Sequence, residues 1–121
     1  KVCIHWLCRT KIKKAIGIEV DESRHMVGST IWDRVKMENA LSNKEFDNIL
    51  GSIFDHSGFG NYVYTNNVMF PNEWNSKIWE SLLPDTVLIS FKNIPNVKPV
   101  HEVSVEASWK KDVKIRIYYK K

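Results

Sequence analysis

Apolar side chains recur at helical spacing over the first sixteen residues. Ile4, Leu7, Cys8, Ile12, Ala15 and Ile16 form one stripe, with Lys1, Arg9, Lys11, Lys13 and Lys14 largely off it. The pattern predicts a helix over 2–16, stopped by Gly17. Residues 17–28 read as a short extended piece followed by a loop. A second helix is expected from Ser29 or Thr30 to Leu41. A third is signalled by Ser42 with Glu45 three residues on, a capping box, with Phe46, Ile49, Leu50 and Ile53 as its buried face. Asp55 to Gly60 reads as a loop. Residues 61–70 look extended, a short helix is expected after Pro71 with Trp74, Ile78 and Trp79 inward, and Pro84 closes it.

The last third carries the β signal. Thr86–Phe91, Val100–Trp109 and Val113–Tyr119 alternate or run apolar, with Lys110-Lys111-Asp112 expected as the final hairpin turn. Alternation groups His101, Val103, Val105, Ala107 and Trp109 with Val113, Ile115, Ile117 and Tyr119 on one face. Glu102, Ser104, Glu106 and Ser108 then oppose Lys114, Arg116, Tyr118 and Lys120 on the other, which reads as a solvated cross-strand charge ladder. Helices first and strands last predict an α+β fold, with N-terminal helices packed on a C-terminal antiparallel sheet.

The length of 121 residues fits one domain spanning 1–121, and 43% hydrophobic residues with five Trp supply a core without metal or disulfide support. No apolar run reaches membrane-spanning length, and the first residues lack the h-region of a secretory signal. The chain does not begin with Met, as expected either of a piece of a longer polypeptide or of a trimmed chain. In a helix, Cys3 and Cys8 lie about 140° apart around the axis. They read as free thiols, compatible with a reducing compartment, and their spacing offers no structural zinc site. A net charge of +4 and a pI near 9.1 favour a polyanionic partner.

Four histidines are available for proton transfer: His5, His25, His56 and His101. His5 falls in the predicted first helix with Arg9, Lys13 and Lys14, and His101 opens a strand. No pair has metal-ligand spacing, and no nucleotide-loop or nucleophile-elbow signature is present. Basic and aromatic residues interleave at Trp109-Lys110-Lys111 and Tyr118-Tyr119-Lys120-Lys121. Such clusters either stack bases and hold phosphates or mark an amphipathic strand end.

The run Ser29-Thr30-Ile31-Trp32-Asp33, with Glu38, Ala40 and Leu41 beyond it, resembles the S-T-F-x-D-x-x-x-A-E-x-A-I/V signature of bacterial toxin domains with a ribonuclease A-like fold. These are C-terminal effectors of contact-dependent growth inhibition and related polymorphic toxin systems. His5, twenty-four residues before Ser29, stands where that family has its early catalytic histidine, and Val103-Ser104-Val105 with Lys114 to Tyr119 is similar to its closing strands.

The resemblance implies a hydrolase that cleaves RNA, tRNA or rRNA, without metal or other cofactor, by transphosphorylation to a 2′,3′-cyclic phosphate. His5 would be base or acid. Lys13 or Lys14, with Arg116, would stabilise the phosphorane, and Tyr118 or His101 would donate the second proton or position the substrate. It further implies a cognate immunity protein of acidic character and a delivered or secreted effector acting in the target-cell cytoplasm. The same basic surface and aromatics also suit a binding module without chemistry, such as an immunity or inhibitor protein or a small RNA-binding domain.

Overall fold

The computed structural model describes residues 2–39, 43–56, 60–108 and 110–121, with the side chains of Val2, His5, Glu38, Asn39 and Ala107 outside that description. Helices α1 (Val2–Arg9), α2 (Glu22–Asn39) and α3 (Asn72–Ser81) alternate with strands β1 (Lys14–Glu19), β2 (Glu45–Leu50), β3 (Tyr62–Thr65), β4 (Thr86–Ser90), β5 (His101–Ala107) and β6 (Lys110–Lys120). The class is α+β. The chain divides into two compact units, Lys1–Asp55 and His56–Lys121.

In the first unit the expected helix over 2–16 ends at Arg9. The carbonyls of Thr10 and Ile12, which would accept from residues 14 and 16 in a continuing helix, are instead taken by the Lys44 ammonium. Thr10 also turns its hydroxyl back onto the Trp6 carbonyl. Freed from the helix, Lys14–Glu19 becomes β1 and pairs in parallel with β2, from Lys14 opposite Glu45 to Glu19 opposite Leu50. Gly17 therefore lies within a strand rather than at a helix stop. A Cβ there would stand 3.1 Å from the Phe46 ring, so glycine lets that ring lie across the strand.

The predicted third helix is likewise corrected to β2. Phe46, Ile49 and Leu50 fit a helical stripe as well as a strand over so short a window, and the parallel partner decides. Its proposed cap, Ser42, lies outside the described residues. Helix α2 starts seven residues before Ser29, because Asp21 accepts from the Ser23 and Arg24 amides at 2.9 and 3.2 Å and caps it. Its expected end at Leu41 lies outside the described residues.

Helices α1 and α2 pack on the Ala15/Phe46 face of β1–β2. Ile4, Leu7, Ala15 and Trp32 form the core there, with Phe46 meeting Trp32 edge-on at 5.9 Å. The opposite face carries Lys14, 3.8 Å from Glu45 and 3.4 Å from Asp47. Within the first unit these helices thus have a parallel sheet of their own.

The second unit is a four-stranded sheet in the order β3-β4-β6-β5. It is mixed, not antiparallel throughout: β3 and β4 run parallel, joined through α3, while β6 runs antiparallel between β4 and β5. The hairpin keeps the faces that alternation predicts, with His101 opposite Ile117, Val103 opposite Ile115 and Val105 opposite Val113, but in a different register from the one a turn at 110–112 would set. Lys110-Lys111-Asp112 belongs to β6 rather than to the turn, which Ser108 enters. Pro95-Asn96 forms a turn closed by Val97 N–H to Ile94 O, with Asn96 at φ 62° in the position of a type II turn that needs a left-handed residue.

The core of this unit is Leu82, Leu88, Ile94 and Tyr118, with Val63, Trp79 and Val97 packed against it. Tyr118 is fully buried, so the face expected to be a solvated ladder is core at that end. Trp79 of α3 meets it edge-on at 5.8 Å, and the Tyr118 hydroxyl accepts from Ile94 N–H at 2.9 Å. Farther along the same face the expected ladder exists, among the described residues, as one ion pair, Lys114 to Glu102 at 3.3 Å.

Candidate functional site

Parallel strands joined by helices leave a crevice outside their carboxyl ends, where ligands of such sheets bind. Each unit has one such edge.

In the first unit, β1 ends at Glu19, and Asp21 is then consumed as the α2 cap. The Glu19 carboxylate is one-third exposed, and Arg24 pairs with it at 3.9 Å, beyond hydrogen-bond distance. Among the described residues no hydrogen bond reaches that carboxylate. Beside it, Gly51 N–H extends the ladder to Glu19 O at 2.9 Å, and Ser52 caps the turn over Ile53–Asp55. Asn48 on β2 donates to His25 O and Ser29 Oγ, both at 2.8 Å, which fixes α2 on the sheet. His25 Nδ1 is buried with no hydrogen-bond partner.

In the second unit, β3 runs into Asn67, which is fully buried and fully engaged. Its Nδ2 donates to Asn75 Oδ1 at 2.9 Å and Ser90 Oγ at 2.8 Å. Its Oδ1 accepts from the Phe91 and Lys92 amides at 2.9 and 3.1 Å. One side chain therefore clasps the carboxyl ends of both parallel strands and the first half of α3. Lys92 adds a bond from Nζ to Phe70 O at 3.2 Å, holding the loop that follows. That loop presents Met69, 88% exposed, at the crevice edge. Sequence reasoning passed over Asn67; its signal was an amide pair, Asn66-Asn67, set inside an otherwise apolar run from Tyr62 to Phe70.

Beside this clasp lies an open groove of about 310 Å³, lined by Val68, Phe91 and, on β6, Lys110, Asp112, Val113, Lys114 and Arg116. Arg116 donates from Nη1 to Phe91 O at 2.7 Å, while its Nε is buried without a partner.

Of the residues singled out from sequence, His5 lies in α1 with its side chain outside the described residues. Lys13 precedes β1 and Lys14 opens it, so neither shares a helix with His5. Lys14 is taken up by Glu45 and Asp47. Arg116 and Tyr118 share one face of β6, whereas His101, opposite Ile117, belongs to the other. Tyr118 packs as a core residue whose hydroxyl is committed to Ile94.

Burial pushes the Cys3 thiol above its ordinary range. Tyr119 is raised by its hydrogen bond to Asp85, and Tyr64 by burial. Among the described residues no group of three His, Cys, Asp or Glu is placed to hold a metal ion. No helix there is long and apolar enough to cross a membrane.

No family model and no curated protein sequence matches the chain. Among solved structures it is similar in fold to an RNA methyltransferase from Salinibacter ruber in complex with S-adenosyl-L-homocysteine, with a TM-score of 0.67 and 17% identity over 97% of this chain and 71% of that one.

Proposed function

We propose that the chain carries an S-adenosylmethionine-dependent methyltransferase fold that acts on RNA. The observation that supports this most is the likeness over 97% of the chain to a methyltransferase holding the demethylated donor. The residues fit a nucleoside. Glu19 stands with a part-exposed carboxylate at the carboxyl end of a parallel strand, the position from which an acidic residue takes ribose hydroxyls in nucleotide-binding sheets of this kind. The bound donor supplies an electrophilic methyl group. In the first unit Glu19 would hold the ribose; in the second, by itself, the Asn67 clasp keeps the carboxyl edge of β3 and β4 rigid. Rigid placement of reacting groups is itself a large part of catalysis. The net charge of +4 suits a polyanionic acceptor.

The test is calorimetric titration with S-adenosyl-L-homocysteine, paired with transfer of a tritiated methyl group from the donor to total tRNA and rRNA. Wild-type protein should bind and label RNA. Glu19→Ala should weaken donor binding at least tenfold, the loss expected for one hydrogen bond to a charged group. Absence of donor binding by folded protein refutes the proposal. Discrete RNA cuts in EDTA would instead restore the ribonuclease expected from the resemblance.

A further inference from the structure

The β5–β6 hairpin is longer than the sheet it closes. β4 pairs with β6 only from Thr86–Lys120 to Ser90–Arg116. Residues 110–115 of β6 have β5 as their sheet neighbour and continue beyond β4 by about 20 Å, at roughly 3.3 Å per residue. Because β6 runs antiparallel to β4, the overhang projects past the carboxyl ends of β3 and β4, where Asn67 sits. The groove described above is the angle between that overhang and the strand ends, with Val68 and Phe91 on one side.

Its hairpin wall is cationic and linear. Lys114 and Arg116 share one face of β6 by alternation, and Lys110 and Asp112, beyond an irregularity in the β5–β6 pairing, line the same groove, three cations to one carboxylate. Lys114 and Arg116 are spaced about 7 Å apart, two residues along a strand, a repeat of the order of successive phosphates in an extended nucleic acid. A single small anion would not need such a row; a linear polyanion does. Arg116 is pre-set by its bond to Phe91 O and retains a buried Nε without a partner. The Lys114–Glu102 pair is solvent-exposed on both sides, the kind of pair a phosphate displaces at little cost.

We infer that the overhanging β5–β6 hairpin is the docking wall for an RNA strand, with Lys110, Lys114 and Arg116 on its phosphates. This rests on the methyltransferase reading, and makes the hairpin the element that brings the acceptor to the strand ends.

The test uses a fluorescein-labelled 20-nucleotide single-stranded RNA and fluorescence anisotropy across a salt series, with the full chain. Each phosphate contact on a single strand contributes about 0.7 to the slope of log K against log salt. Lys110→Gln/Lys114→Gln should therefore flatten the slope by about 1.4 and weaken binding about 25-fold at 0.1 M salt. Lys110→Glu/Lys114→Glu should weaken it further. Lys11→Gln/Lys36→Gln removes the same charge from exposed positions in the other unit and should change affinity far less. All these side chains are exposed, and unchanged circular dichroism confirms the fold.

No RNA binding by wild type, an equal loss in the control pair, or equal affinity for poly-L-glutamate overturns the inference. Titration with S-adenosyl-L-homocysteine in parallel separates the two readings. Donor binding with no role for the hairpin sinks the docking wall alone. Hairpin-dependent RNA binding without donor binding sustains the wall and sinks the methyltransferase.

Discussion

Replacing Asn67 by alanine should be among the costliest single changes in the second unit. The side chain is fully buried and makes four hydrogen bonds, two as donor and two as acceptor. Not all are lost equally. Lys92 N–H keeps Ser90 Oγ at 3.3 Å, and Ser90 Oγ keeps its own donation to Lys92 O. Phe91 N–H loses this acceptor, and Asn75 Oδ1 loses its donor. A buried polar group deprived of its partner costs about 1–3 kcal/mol. Two such groups give about 2–6 kcal/mol, lowered where water enters the space left by the amide, so about 3 kcal/mol is expected.

For a chain of this length that corresponds to a fall in Tm of about 12 °C, at roughly 4 °C per kcal/mol. Urea denaturation followed by tryptophan fluorescence measures it. The neighbouring Asn66 is exposed, so Asn66→Ala is the built-in control and should stay within about 0.5 kcal/mol. Combining Asn67→Ala with Ser90→Ala should cost less than the sum of the two singles, because they share a bond. If Asn67→Ala cost under about 1 kcal/mol, or matched Asn66→Ala, the clasp would not be holding the strand ends and the reasoning would fail.

Tyr118→Phe should lower stability by about 1–3 kcal/mol in the same denaturation assay, since it orphans the buried Ile94 N–H; an unchanged midpoint would contradict the packing described. Tyr119 gives a pH signature. Its folded pKa is raised, chiefly by the hydrogen bond to Asp85, so the contribution is fully present below the ordinary phenol range near 10 and is lost as pH rises through the higher folded value. Absorbance titration at 295 nm should show one tyrosine ionising late for this reason, and Asp85→Asn should return it towards the ordinary range. With Ellman's reagent, exposed Cys8 should react first, and Cys3, raised by burial, should lag until the protein unfolds; equal rates would refute the packing of α1 on β1.

Local patterns read true where the contacts they imply are local. Pro71 with Ile78 and Trp79 placed α3, although Trp74, expected inward, is exposed, and alternation from His101 to Tyr119 placed the hairpin and its faces but not its turn. The first unit was illegible for the opposite reason. Whether Ile12 to Ile16 continues a helix depends on Lys44, more than thirty residues away, taking its carbonyls. Whether Phe46 to Leu50 is helix or strand depends on β1 being there to pair. The candidate site was legible only in part. Arg116 was singled out as a phosphate-binding cation and does line the groove. Tyr118 looked outward by alternation because the sequence does not say which face α3 will cover. Asn67 was missed because a polar residue amid apolar neighbours reads as a turn until its four partners, spread from Asn75 to Lys92, are seen together.

The strand order has a consequence for synthesis on the ribosome. β6 is made after β5, yet it lies between β4 and β5 and supplies a ladder to each. Until Lys110–Lys120 has emerged, β4 has only β3 beside it, and β5 has no partner in its sheet. At 5–20 residues per second, the roughly thirty residues between the end of β4 and the end of β6 take about 2–6 s to make. Over that interval Val87 and Ile89 lie along an open strand edge, which other nascent chains can pair with. The vulnerable moment for this sheet is therefore the stretch of synthesis from Ser90 to Lys120. A chain released before β6 is complete keeps its other five strands and still presents an unfinished sheet.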